Sequence, residues 1–199
     1  MDDVAVVGPL DLAARVDDAL AVQALAFGLG EGEVAVRRQI VVRHMACRGA
    51  RAYGATTPDG RLVGFVYGMP NDRAHWWSTV VQPYLVREGN EEWLDDSFVV
   101  TELHVHPAHQ ARGIGTELIT TITGTAREPR SILSAIDVES PARRLYRSLG
   151  YTDLARRVHF PSATRPYVVM GAPLPLRRRQ GGGGPGAPGS PGRRDPRGD

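Results

Sequence analysis

The segment from Leu103 to Ile119, Leu-His-Val-His-Pro-Ala-His-Gln-Ala-Arg-Gly-Ile-Gly-Thr-Glu-Leu-Ile, constrains this chain more than any other. It reads as a buried strand running to Pro107, a short polar loop, and a helix opened by Gly113-Ile-Gly115. Glycines at such a junction let a ligand come close to the backbone and leave the first-turn N–H groups unobstructed. Those donors, with the positive end of the helix dipole, form an anion site, and Arg112 sets a fixed charge beside it. The physics asks for a phosphate or pyrophosphate. Two familiar anion loops are excluded. The dinucleotide fingerprint needs a third Gly or Ala where Leu118 stands. The nucleotide phosphate loop needs a lysine, and all 24 basic residues of this chain are arginine. The same absence removes Schiff-base chemistry and a lysine general base.

Around this segment the chain alternates helices and strands, the pattern of an α/β domain. Strands are expected at residues 4–7, 51–57, 62–69, 98–105 and 132–138, and a closing antiparallel pair at 151–160 and 167–171. Helices are expected at 12–27 with Asp11 as cap, 33–48, 76–86, 113–127 and 141–149. The last of these is opened by Ser140 and closed by Gly150. Pro58-Asp59-Gly60 marks a hairpin between the second and third strands. The folded domain is expected to span residues 1–176. Residues 177–199 form a tail in which Gly and Pro supply twelve of the last twenty positions, and such a composition predicts disorder. The tail carries six arginines against two aspartates, so the overall net charge of +2 hides a mildly acidic body. A basic face for nucleic acid is therefore not expected. The acidic start, a single cysteine (Cys47) and the lack of a long apolar run point to a cytoplasmic protein without a membrane partner.

The glycine segment resembles the acyl-CoA signature Gln/Arg-x-x-Gly-x-Gly/Ala of the GNAT superfamily of N-acetyltransferases, here Gln110-Ala-Arg-Gly-Ile-Gly115. A second signature follows in the right order, a helix with a tyrosine before Leu-Gly-Phe/Tyr. Here that is Leu145-Tyr146 followed by Leu149-Gly150-Tyr151. The resemblance implies a mixed sheet flanked by helices, with a central strand pair splayed to admit the CoA arm. It implies that amides of Gln110, Ala111, Arg112, Gly113, Ile114, Gly115 and Thr116 cradle the pyrophosphate. It also implies that Leu103 and Val105 pair through their backbone with the pantetheine arm. The cosubstrate would be acetyl-CoA, used in direct attack by an amine, with Tyr146 as proton donor to the departing thiolate. No metal is implied. One departure is Glu139, where many members carry Asn.

Glu102, on the strand that ends in the glycine loop, is the first candidate for the base; Asp95 and Asp96 are rivals, as is a water chain. Strand parity sets Glu102, His104 and His106 on one face, away from Leu103 and Val105, unless a β-bulge shifts it. His104, His106 and His109 lack a carboxylate or cysteine partner that would complete a metal site. Trp76 and Trp77 either line an acceptor pocket or pack on the sheet, and Cys47 reads as a small buried apolar residue. The acidic body favours a small cationic amine as acceptor. A protein or peptide amine, or a non-catalytic acetyl-CoA-binding module, are the alternatives. A homodimer is compatible with the family.

Overall fold

The computed structural model describes residues 4–28, 30–161 and 163–177. The expected tail lies outside the described residues, apart from Arg177. The elements in chain order are β1 (Val6–Pro9), α1 (Val16–Phe27), α2 (Glu31–Met45), β2 (Arg51–Thr56), β3 (Leu62–Pro70), α3 (Trp76–Arg87), β4 (Ser97–Val105), α4 (Ile114–Gly124), β5 (Arg130–Ile136), α5 (Pro141–Ser148), β6 (Thr152–Val158) and β7 (Tyr167–Pro173). The strands form one mixed sheet in the order β1-β2-β3-β4-β5-β7-β6. The closing pair expected from the sequence is present, and β7 inserts beside β5 so that β6 takes the edge.

Local chemistry explains where the boundaries depart from the sequence reading. Asp11 does act as a cap, but of a turn: its carboxylate accepts the Ala14 N–H at 3.0 Å. Helix geometry starts only after Arg15, whose backbone (φ −107°, ψ 22°) is not helical. The helix after the glycine loop stops at Gly124 rather than 127. There Thr123 and Thr125 donate their hydroxyls to the Ile119 and Ile122 carbonyls, and Thr125 closes the end. At α5 the reading from sequence matches: the Ser140 hydroxyl accepts the Arg143 N–H at 3.2 Å.

The core divides between the two faces of the sheet. On one face the apolar stripe of α4 (Ile114, Leu118, Ile119, Ile122) and α5 (Tyr146, Leu149) packs on Val63, Val66, Phe98, Val100 and Leu133. On the other, α1 packs on Phe65, Tyr67 and Met69, and α3 packs on Val99, Ile132 and Val169. Met69 and Val99 stand opposite each other in the β3–β4 ladder, so α1 and α3 share that second face.

The β4–β5 pair sets up everything that follows. These two parallel strands pair only over Ser97–Val99 with Arg130–Ile132. Beyond Val99, β4 continues against β3 as far as Val105, while β5 continues against β7 as far as Ile136. The sheet is parted at its centre, as the splayed pair expected from the resemblance requires. A β-bulge at Thr101 accompanies the parting: Tyr67 faces Glu102 while the next residue, Gly68, faces Val100. The extra residue inverts the alternation, so Phe98 and Val100 before it, and Leu103 and Val105 after it, all turn toward α4. Gly68 is required here, because a Cβ would collide with the Val99 carbonyl and the Phe98 ring.

Candidate active site

The glycine loop follows β4 directly. Gln110 donates its side-chain amide to the Val105 carbonyl at 3.0 Å, which ties the loop back onto the strand. Ala111 (φ +59°) and Gly113 (φ +83°) both adopt left-handed backbone, and Gly113 is the N-cap of α4 with no side chain capping it. The first-turn amides of Ile114, Gly115 and Thr116 therefore have neither a helical acceptor nor a side-chain cap. Gln110, Ala111, Arg112 and Gly113 are exposed. At Gly115 a Cβ would lie 3.4 Å from Leu145 Cδ2 and 3.8 Å from Val105 Cγ2, ordinary contact distances, so this position has room for a methyl group and little more.

Where the strands part, Glu102, Leu103 and Val105 on β4 and Ser134 to Ile136 on β5 are half-buried, in contrast to the buried residues before them. The Thr101 hydroxyl at the bulge is buried without a hydrogen-bond partner. A strand edge left unpaired, an uncapped helix start and an orphaned hydroxyl fit an extended polar chain ending in phosphate.

Glu102 lies on the α1–α2 face with His104, the parity expected for these two residues. Its Oε2 is 2.7 Å from His104 Nε2 and its Oε1 accepts from Arg37 Nη1 at 3.2 Å. The amide of Gln23, from α1, lies 3.2 Å from the same His104 nitrogen. The imidazole is held between Phe27 and Phe65, with ring centroids 5.6 Å away in each case. Burial pushes the Glu102 pKa up. The hydrogen bond and charge of His104, with Arg37 and Gln23, outweigh it and hold the carboxyl below its ordinary value. Tyr146 stands on the opposite, α4–α5 face, 8% exposed, with its ring 5.8 Å from that of Tyr151. Burial first, and then the charge of Glu102, raise its phenol far above the ordinary value. A carboxylate and a protonated phenol thus face the parted strands from the two sides of the sheet.

The remaining candidates separate. Asp95 is engaged by Arg73 (2.7 Å), which also takes Glu91 (2.9 Å), whereas Asp96 follows with left-handed backbone (φ +47°) just ahead of β4. His106 lies beside Ala21, Val22 and Leu25 of α1 and accepts the Ala108 N–H at 3.2 Å. Among the described residues, no group of three or more His, Cys, Asp and Glu is placed to hold a metal. Glu139 pairs with Arg147 at 2.7 Å, and the Ser140 hydroxyl caps α5. Trp77 donates to the Ser134 hydroxyl at 3.2 Å, whereas Trp76 remains 59% exposed against Phe160. Cys47 is only half-buried, beyond the end of α2. Gln23, Arg37, Tyr67 and His44 were not legible as site residues; they come to Glu102 from distant elements, and only the fold assembles them.

The family model described as an acetyltransferase (GNAT) domain matches residues 49–153, more than half of the chain. The chain belongs to the GNAT acetyltransferase family. It is an acyltransferase of a family that takes the acyl group from acyl-CoA. The chain is 29% identical over 197 residues to the GCN5-like protein acetyltransferase Rv2170 of Mycobacterium tuberculosis, covering 84% of this chain and 96% of that one. Solved GNAT structures share the fold. A GNAT-family protein of Desulfovibrio desulfuricans superposes with a TM-score of 0.63 at 17% identity, over 85% of this chain and 98% of that one. The ribosomal-protein-S18-alanine N-acetyltransferase of Escherichia coli gives 0.62 at 14% identity, over 90% and 97%. No helix among the described residues is long and apolar enough to cross a membrane.

Proposed function

We propose that this protein transfers an acetyl group from acetyl-CoA to a primary amine by direct attack in the gap between β4 and β5. The observation that carries the reading is the pairing of the two strands over three residues only, with Glu102 on one side of the opening and Tyr146 on the other. Amides from Gln110 through Thr116 hold the pyrophosphate at the start of α4. The backbone edge of β4 at Leu103 and Val105, whose Val105 carbonyl Gln110 engages, takes the pantetheine arm. Glu102, an anion at neutral pH, binds the acceptor as its ammonium on this face, and nitrogen sheds one proton there before attack. The freed lone pair attacks the thioester carbon, a C–N bond forms and the C–S bond breaks. Tyr146, kept protonated by burial, donates to the leaving sulfur, and the second proton that nitrogen sheds on becoming an amide restores the phenol.

For the acceptor we carry forward the small cationic amine suggested by the acidic body. The likeness to Rv2170, a protein acetyltransferase by name, favours a protein amine as the second reading. Thiol release from acetyl-CoA, measured against small amines and lysine-containing peptides, tests both. Turnover confined to peptides selects the second reading, and saturable acetyl-CoA binding without turnover on any amine refutes catalysis.

A further inference from the structure

The site described so far lacks a place for the proton to end. Both oxygens of Glu102 are already occupied, by His104 and Arg37, and a carboxylate held ionised in this way is a weak final acceptor. A second unit adjoins it on the same face. Tyr67 of β3 stands directly opposite Glu102 in the ladder, so their side chains leave the sheet together. The phenol is 1% exposed, and its hydroxyl lies 3.2 Å from Nδ1 of His44 on α2. The two rings are 6.0 Å apart. His44 is seven residues after Arg37, so one face of α2 delivers the arginine to Glu102 and the imidazole to Tyr67. Unlike Tyr67, His44 is only half-buried and reaches solvent.

We propose that Tyr67 and His44 are the proton-accepting unit of the acceptor side, an inference that rests on the amine transfer proposed above. The ammonium held against Glu102 gives one proton to the Tyr67 oxygen, while the Tyr67 hydroxyl proton passes along its hydrogen bond to His44 Nδ1. The amine becomes neutral, the phenol is restored and His44 becomes imidazolium, which releases the proton to solvent. Tyr67 is then a catalytic residue and His44 a positioning residue and proton sink acting through it. The groups bearing on His44 are Arg43 of its own helix, His75 ahead of α3, Glu102 of β4 and Tyr67 of β3. Burial, with His75 and Arg43, outweighs the opposing pull of Glu102 and keeps the imidazole neutral at physiological pH, as an acceptor must be.

Tyr67→Phe and His44→Gln test this in the full chain with acetyl-CoA and the best acceptor found in the thiol-release panel. Gln at position 44 retains a hydrogen bond to Tyr67 but cannot take up a proton, so a purely structural histidine would leave its rate at the wild-type level. The expected result is a fall in kcat of at least tenfold at pH 7 in both variants, with KM for acetyl-CoA within twofold. The deficit narrows as pH rises toward the acceptor amine's own pKa, where the free amine needs no base. An unchanged kcat in His44→Gln, or a deficit equal at every pH, overturns the proposal while leaving the transferase reading intact. If Tyr67→Phe melts below the assay temperature, His44→Gln decides alone. A wild-type enzyme that acetylates no amine overturns the transfer reading and this one with it.

Discussion

The two glycines of the loop sit in different settings, one in left-handed backbone and one in packed helix, so substitutions act on them differently. At Gly113 nothing lies within 4 Å of a built Cβ, yet φ is +83°. Gly113→Ala therefore meets no clash and instead carries the left-handed backbone penalty of a non-glycine residue, about 1–2 kcal/mol. The loop relieves that strain by moving its amides, so acetyl-CoA affinity should drop by about tenfold for each 1.4 kcal/mol transmitted. At Gly115 the backbone is ordinary helix and a Cβ falls at ordinary contact distance from Leu145 and Val105. Gly115→Ala should therefore leave both melting and affinity close to wild type. Gly115→Val adds two methyls against α5 and β4, an overpacking cost of about 1–3 kcal/mol, and pushes the first turn of α4 off its position. We expect it to lower Tm by several degrees and weaken acetyl-CoA at least tenfold, about 1.4 kcal/mol. Calorimetric titration and thermal melting on the three variants separate these effects. Unchanged acetyl-CoA affinity in both Gly113→Ala and Gly115→Val would refute the assignment of this loop to the pyrophosphate.

Tyr146→Phe should lower kcat by roughly 10²–10⁴-fold with acetyl-CoA Kd within twofold, because the hydroxyl acts on the leaving group; stopped assays and calorimetry on one preparation check both. Glu102→Gln removes the anion that draws the ammonium. Its loss of kcat/KM for a cationic amine should be greatest below the amine's pKa and shrink above it, so a pH-independent loss would contradict that role. Arg143 is 2% exposed and bridges Asp137 (3.3 Å) and Asp153 (2.7 Å). Arg143→Ala removes a buried guanidinium and its charged hydrogen bonds, while Asp137 keeps Arg156 at 2.6 Å, and should destabilise by about 1–3 kcal/mol in denaturant titration. Burial raises the Asp137 pKa, but the hydrogen bond from Arg156, the Arg157 amide and the charges of Arg156 and Arg143 take it below the ordinary value. Its contribution to stability is thus complete above about pH 4 and lost as pH falls through the lower, folded-state pKa; Tm measured from pH 6 to pH 2 should show that loss.

Local pattern was enough to read some of this and not the rest. Ser140 and Pro141 announce α5 because a cap acts within four residues, and Pro58-Asp59-Gly60 announces its hairpin for the same reason. Glu102 and Tyr146 could be singled out as candidates because both sit at fixed offsets from the glycine signatures. The shell around Glu102 could not. Arg37 and His44 lie on a helix whose valines at 36 and 42 face solvent, which blurs the apolar stripe that marks a buried face. Gln23 is a polar residue buried in a helix, and its partner His104 is 81 residues away. The bulge at Thr101 leaves no trace in composition, since one extra residue in a run of Val, Val, Thr, Glu and Leu looks like uninterrupted strand.

A sheet parted along its middle is open to both faces. In the transfer proposed above the thioester enters from the α4–α5 face and the amine from the α1–α3 face, so neither reactant stands in the other's path. Neither must leave before the other arrives. The one cysteine, Cys47, lies beyond the end of α2 and away from the gap, so no thiol stands there to hold the acetyl group. Initial-rate lines plotted at several fixed concentrations of the second reactant should therefore converge instead of running parallel. The thiol product should inhibit competitively against acetyl-CoA alone, the behaviour of two ports that share a reaction centre and nothing else.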